Sequence, residues 1–361
     1  MRRGLQGFVV PLRTTLEPPA PAESARPPAG AGAARAGRTG QGSRGGAEGD
    51  APAAKGRSLK AALAALLLLA GCAGGPLGEA PPLAPATVED GSVAGAGGER
   101  LALSRWEPAS APRAVVLAVH GFGDYGPSTF SGPAEFWAGR GFLVYAYDQR
   151  GFGRNESRGR WPGAEALIAD FRAVAAALRA RHPGLPLFAI GHSMGGAVAL
   201  AGLAEGGEAD GLILAAPAAQ GGEALPLPWR AAAWAGALLF PETRWTGEGI
   251  VTIRASDNDE ALIALGRDPL YLGRPSSREL FGLVQVMDRA VAAAPRLSLD
   301  ALTLYGERDE VAERDAVLAL HEALGGPKAL ILYPEGWHLL FRDHQRERVW
   351  RDAAEWMEAR S

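Results

Sequence analysis

Gly191-His192-Ser193-Met194-Gly195-Gly196 lies directly after the apolar run 186–191 and ahead of a helical pattern over 194–205. A Gly-x-Ser-x-Gly turn between strand and helix leaves a serine hydroxyl exposed at a sharp bend, and small residues on either side allow close packing. Main-chain amides of such a turn, together with the helix N-terminus, favour negative charge developing beside the serine. A hydroxyl becomes a useful nucleophile only when a base takes its proton, and that base needs a carboxylate to orient it. Both follow in the chain order this elbow uses, serine then acid then histidine: Asp309 in Gly-Glu-Arg-Asp after the run 302–306, and His338 in Glu-Gly-Trp-His after the run 329–334. The chemistry these types support is acyl transfer on Ser193, with His338 as general base and Asp309 as its partner.

Other residues compete for these roles. His182 closes a helical pattern, His321 sits within one and His344 opens another, positions that suit surface or capping work; His192 lies inside the elbow and points away from its neighbour's hydroxyl. Glu307, Glu310 and Glu313 crowd the loop of Asp309, which is preferred for its place three residues past Gly306. Upstream, His120-Gly121-Phe122-Gly123-Asp124-Tyr125 ends the run 114–120, where an oxyanion-hole amide is supplied in folds carrying this elbow. The amides of Phe122 and Met194 are the expected pair, each worth on the order of 3 kcal/mol to a tetrahedral oxyanion. Asp148-Gln149-Arg150-Gly151-Phe152-Gly153 is too short for a dinucleotide fingerprint, and reads as a structural turn with Asp148 and Arg150 in polar contacts. The histidines lack zinc spacing such as H-E-x-x-H. No metal and no organic cofactor is implied.

The elements that must hold these residues alternate. Short apolar runs at 114–120, 142–148, 186–191, 211–216, 302–306 and 329–334 read as strands, several of them continuously apolar, as strands covered on both faces are. Helical patterns occupy 164–181, 194–205, 313–324 and 343–359, and residues 90–106 suit an antiparallel hairpin leading into the sheet. This alternation predicts a mostly parallel sheet with helices on both faces. The rhythm breaks over 219–298, which carries Trp229, Trp234, Phe240, Trp245, Tyr271 and Phe281; so long an interval calls for helices of its own rather than a bare loop, and a helical lid inserted after the sixth strand is expected.

Residues 1–56 are rich in Pro, Ala, Gly, Arg and Ser, a composition that buries too little surface to offset chain entropy; they are expected to be disordered or to precede the true translation start. Arg57 and Lys60 then introduce the apolar run 61–70, which ends in Leu69-Ala70-Gly71-Cys72. A basic start, a short apolar core and small residues at the cut describe a secretory signal over 57–71, and the run is about half the ~20 residues a membrane-spanning helix needs. The tail resembles a bacterial lipobox, in which Cys72 would be lipidated and become the mature N-terminus, with the Gly- and Pro-containing stretch 72–86 as tether. More than one acyl chain gives lasting attachment, so the hydrolase domain, 87–361, is expected in the cell envelope. Ala73 and Gly74 in place of an aspartate favour the periplasmic face of the outer membrane over inner-membrane anchoring or secretion.

Charge divides the same way. Residues 1–72 hold 10 of the 37 Lys+Arg and 4 of the 40 Asp+Glu, leaving 27 basic against 36 acidic residues downstream. A body with that excess of acid and no basic stripe disfavours nucleic acid as partner. The single cysteine excludes an intramolecular disulfide, and nothing in the composition sets the oligomeric state.

Taken in order, HGFGDY, DQRGFG, GHSMGG, GERD and EGWH resemble the monoacylglycerol lipase and lysophospholipase-like branch of the α/β hydrolases, which is grouped with serine aminopeptidases; the likeness runs from about residue 95 to 358. The resemblance implies the α/β-hydrolase fold, Ser193, His338 and Asp309 as triad, oxyanion amides at Phe122 and Met194, a helical cap, and a small-molecule or lipid ester as substrate. Asp124-Tyr125 departs from the acidic or polar residue plus His that the family carries after HGxG. A peptidase or thioesterase with the same triad is the alternative enzyme, and a non-catalytic envelope lipoprotein the alternative class. Dehalogenase and epoxide-hydrolase relatives use an aspartate at the position of Ser193.

Overall fold

The computed structural model describes residues 87–221, 227–245 and 253–361. The stretch 1–56, the signal 57–71, Cys72 and the tether 72–86 lie outside the described residues.

All six apolar runs form strands: β4 (Ala114–Val119), β5 (Phe142–Tyr147), β6 (Leu187–His192), β7 (Gly211–Ala215), β8 (Asp300–Gly306) and β9 (Lys328–Tyr333). They lie parallel in the order β5-β4-β6-β7-β8-β9, and β4, β5, β6 and β7 are buried along their whole length. This is the α/β-hydrolase fold. Ahead of them, β3 (Arg100–Trp106) pairs antiparallel with β5, β2 (Ser92–Ala94) with β3, and β1 (Val88–Glu89) with β2. The expected hairpin is thus three strands, because Asp90-Gly91 turns the chain once more, and the long interval follows the seventh strand rather than the sixth.

Two apolar layers cover the sheet. On one face α2 (Ala164–Arg181), α3 (Met194–Ala204) and α7 (Arg314–Ala323) bury Leu167, Phe171, Val198, Val317 and Leu320. On the other, α8 (Arg346–Glu358) contributes Val349, Ala353 and Met357, and α1 (Gly126–Ala138) contributes Phe130, Ala134 and Trp137. Helix α1 has no counterpart in the sequence reading. Pro127 occupies the first turn, where proline is tolerated, but Gly132 and Pro133 are helix-breaking types inside the helix, and burial of an i, i+4, i+7 stripe outweighs their propensity.

The interval 219–298 divides. Helices α4 (Leu227–Leu239) and α5 (Asp259–Arg267) lie outside the main core, Leu265 of α5 meeting Leu339 in a small cluster of its own, whereas α6 (Ser277–Ala293) sends Val286, Met287 and Ala290 into the same core as α3. Helix α6 opens with a reciprocal cap: Ser276 Oγ accepts from Glu279 N at 3.2 Å, and Ser276 N donates to Glu279 Oε2 at 2.6 Å. No helix of the described residues is long and apolar enough to cross a membrane.

Candidate active site

Ser193 stands between β6 and α3 with φ 52° and ψ −121°, a left-handed conformation that costs a non-glycine residue on the order of 1–3 kcal/mol. Its surroundings leave it no alternative. Ser193 N donates to Ala215 O at 2.9 Å, and Ser193 O accepts from Gly196 N at 2.9 Å and Ala218 N at 3.1 Å. The flanking glycines are required by contact: a Cβ at Gly195 would lie 2.1 Å from Val119 O, and one at Gly191 2.4 Å from Gly196 Cα.

The loops after β8 and β9 bring the other two predicted side chains to it. His338 Nε2 is 3.0 Å from Ser193 Oγ, and His338 Nδ1 is 2.9 Å from Asp309 Oδ2. A carboxylate only accepts, so Nδ1 carries the proton and the Nε2 lone pair faces the hydroxyl. Asp309 cannot swing away, because its Oδ1 accepts from Val311 N at 2.7 Å and Ala312 N at 2.8 Å. Two of the competing acids are engaged elsewhere: Glu310 accepts from Arg254 N at 2.7 Å, and Glu307 lies 3.8 Å from the Arg314 guanidinium.

The turn containing Phe122 lies against the nucleophile, since a Cβ on Gly121 would be 3.3 Å from Ser193 Cβ. The Phe122 ring packs on Phe152 and Trp161 with centroids 5.4 and 6.2 Å away, and the Met194 side chain is fully buried. Both residues therefore use their side chains for packing. The remaining histidines sit apart from the reacting atoms. His120 Nδ1 donates to Gly121 O and its Nε2 accepts from Gln149 N, both at 2.8 Å; His182 contacts Tyr145 Oη, His321 contacts Thr303 Oγ1, and His344 N donates to Asp257. In the DQRGFG turn, Asp148 accepts from Arg154, and Arg150 is paired with Asp170 at 2.7 Å.

Several supporting residues carried no signal in the sequence. His192 Nε2 donates to the His338 carbonyl at 2.9 Å, and burial, reinforced by the nearby His338 ring, drops its pKa to about 3, so it is a neutral strut. Asp343 accepts from Trp337 N at 2.7 Å and from Ser256 Oγ at 2.6 Å, tying the His338 loop to the interval after β7. Burial lifts Asp343 to about 6 against the pull of those two donors. Burial would also raise Asp124, but the Arg342 guanidinium 2.6 Å away holds its carboxyl below the ordinary range.

Residues 253–273 close the site from above. Leu339 N donates to Ala255 O and Leu272 N to Gly123 O, both at 2.8 Å, while Tyr125 Oη donates to Asp268 at 2.7 Å. Between this cover and Ser193 lies a pocket lined by Leu262, Leu265, Leu272, Leu280, Leu283 and Met287, with Ser193 and His338 in its floor. Among the described residues its one acidic lining residue, Asp124, is the one paired with Arg342. The arrangement can activate a serine against a carbonyl carbon held beneath an apolar chain.

A family model described as Hydrolase_4, serine aminopeptidase, S33, matches residues 110–345. The monoacylglycerol lipase of Mycolicibacterium smegmatis is 28% identical over 278 residues, covering 75% of this chain and 97% of the relative. The human monoglyceride lipase is 26% identical over 259 residues, 69% of this chain and 82% of its own. Among solved structures, the Paleococcus ferrophilus monoacylglycerol lipase superposes with a TM-score of 0.62 at 24% identity, covering 72% of this chain and 99% of that one, a likeness of fold.

Proposed function

We propose, from the fact that this chain belongs to the serine aminopeptidase (S33) family of hydrolases, that it is a carboxylic-ester hydrolase acting on acyl esters such as monoacylglycerol or lysophospholipid through an acyl-enzyme on Ser193. The observation that carries this reading is the hydrogen-bonded series Asp309, His338 and Ser193 at the floor of an apolar pocket. The names of the relatives, monoacylglycerol and monoglyceride lipases, support it.

In the proposed reaction, Ser193 Oγ attacks the ester carbonyl as His338 Nε2 takes its proton, and the oxyanion receives the main-chain N–H groups of Phe122 and Met194. His338 then gives that proton to the departing alcohol oxygen. Water attacks the acyl-serine by the same route, and the products are a carboxylic acid, an alcohol and free enzyme. Asp309 keeps Nδ1 protonated throughout. An aminopeptidase would need an unpaired carboxylate to hold the substrate ammonium; among the described lining residues the one acid, Asp124, is paired with Arg342, which favours esters.

The test is hydrolysis of p-nitrophenyl esters of rising chain length and of monoacylglycerols by residues 87–361, beside Ser193→Ala. Serine-dependent turnover that rises with acyl length supports the proposal; activity confined to acetate and butyrate replaces it with a short-ester esterase. We further propose that Cys72 is acylated and holds the enzyme at an envelope membrane. Metabolic labelling with a fatty acid, lost in Cys72→Ser, is the expected result.

A further inference from the structure

Gln220, five residues beyond the end of β7, is a buried polar side chain that the proposed reaction does not use. It is 8% exposed and lines the pocket that holds Ser193 and His338. Its place is set by main chain: Ala218 N bonds to Ser193 O at 3.1 Å, and Gly221 packs against Asp288 of α6. A carboxamide offers two donors and an acceptor oxygen with two lone pairs, and among the described residues none of Gln220's is paired. Two buried amides elsewhere each place their nitrogen: Gln149 Nε2 donates to His120 O at 2.6 Å, and Asn155 Nδ2 to Asp148 O at 2.8 Å. The other strongly polar lining groups each hold a partner, Asp124 on Arg342, His192 through Nε2 on the His338 carbonyl, and Ser193 and His338 on each other. The Tyr271 hydroxyl is a second neutral lining group with no partner among the described residues.

Resting on the ester-hydrolase reading above, we infer that Gln220 is a specificity-determining residue that hydrogen-bonds a neutral oxygen function of the substrate, a hydroxyl or carbonyl distinct from the scissile ester. The chemistry is neutral because, among the described lining residues, Gln220 and Tyr271 carry no charge and the one acid, Asp124, is paired with Arg342. A plain hydrocarbon passing Gln220 would bury its carboxamide with no partner, and a site of that kind rejects the analogue lacking the matching group. The oxygen can come from the alcohol side, as in a glycerol ester, or from the acyl side, as in a hydroxyacyl ester.

Two substrate pairs distinguish these sources: 1-decanoylglycerol against ethyl decanoate, and a p-nitrophenyl hydroxydecanoate against p-nitrophenyl decanoate. Each kcat/KM ratio is measured on the parent, Gln220→Leu and Gln220→Met; because both members of a pair meet the same enzyme sample, the ratio does not depend on how much of a variant is folded. The expected result is that the parent favours the oxygenated member of one pair, and that both variants shift that ratio roughly 10-fold or more toward the plain ester. Ratios that stay within about 2-fold of the parent, or a loss shared equally by all four esters, overturn the inference while Ser193-dependent turnover leaves the ester-hydrolase reading standing. No turnover of any ester by the parent overturns both.

Discussion

The elbow and the cover over it are held in opposite ways. Residues 191–196 are fixed by backbone: Ser193 bonds to Ala215, Gly196 and Ala218 main chain, and a single methyl at Gly195 or Gly191 would collide with backbone atoms. Residues 253–273 are stapled largely through side chains, with Ser256 reaching Asp343 across 87 positions, Tyr125 reaching Asp268 across 143 and Asn258 reaching the Arg342 carbonyl across 84. Close-packed backbone tolerates no change of volume, whereas a side-chain hydrogen bond can be lost singly at modest cost. The attacking group is thereby placed almost without freedom, and the walls that select what it attacks can be altered in steps.

The sharpest test leaves both regions folded and breaks the chemistry. Asp309→Asn should lower kcat/KM roughly 10⁴-fold by allowing the wrong His338 tautomer, with a melting temperature near that of the parent. A loss under about 10-fold would mean that another carboxylate of the loop orients His338.

Next, glycine-to-alanine exchanges should act oppositely at the elbow and in the interval 219–298 that carries the cover. Gly195→Ala forces a methyl to within 2.1 Å of Val119 O and should cost about 3 kcal/mol in chemical denaturation. Gly236→Ala, on α4 with its nearest neighbour at 3.8 Å, should add about 0.5–1 kcal/mol. Equal effects would erase the distinction between a constrained elbow and a permissive interval above it.

Removing one staple comes third. Ser256→Ala strands a buried carboxylate oxygen of Asp343 and should cost about 2 kcal/mol, with faster amide exchange confined first to residues 253–258 and the His338 loop. Exchange that quickens uniformly would show the cover and body to unfold as one unit.

The smallest effect concerns pH. His192 takes up a proton near pH 6.5 when unfolded but only near about 3 when folded, so the unfolded chain binds more protons between those values and stability falls as pH drops through them. Burial depresses His120 in the same direction. Asp343 opposes them, because its folded value of about 6 lies above its ordinary 3.8, and its contribution grows as pH falls through that narrower window. The net expectation is on the order of 1–2 kcal/mol less stability at pH 4 than at pH 7, read from denaturant midpoints; stability that stays flat or increases as pH falls would contradict the neutral, buried state of His192.

Local pattern alone determined the six apolar strands, the helices at 164–181 and after Ser193, and the order of Ser193, Asp309 and His338, because apolar runs and a Gly-flanked serine are demands that neighbours in the chain impose on one another. Tertiary structure decided the rest. Helix α1 forms in spite of Gly132 and Pro133 because the core rewards its buried stripe, and α6 joins the interval to the body because its Val286 and Met287 meet α3. His192 beneath the His338 carbonyl, Asp343 on Ser256, Arg342 on Asp124 and Gln220 in the pocket are residues of ordinary type at ordinary positions. Their roles arise only where loops from separate strands converge at one edge of the sheet, and a side chain's identity does not encode which distant loop it will meet.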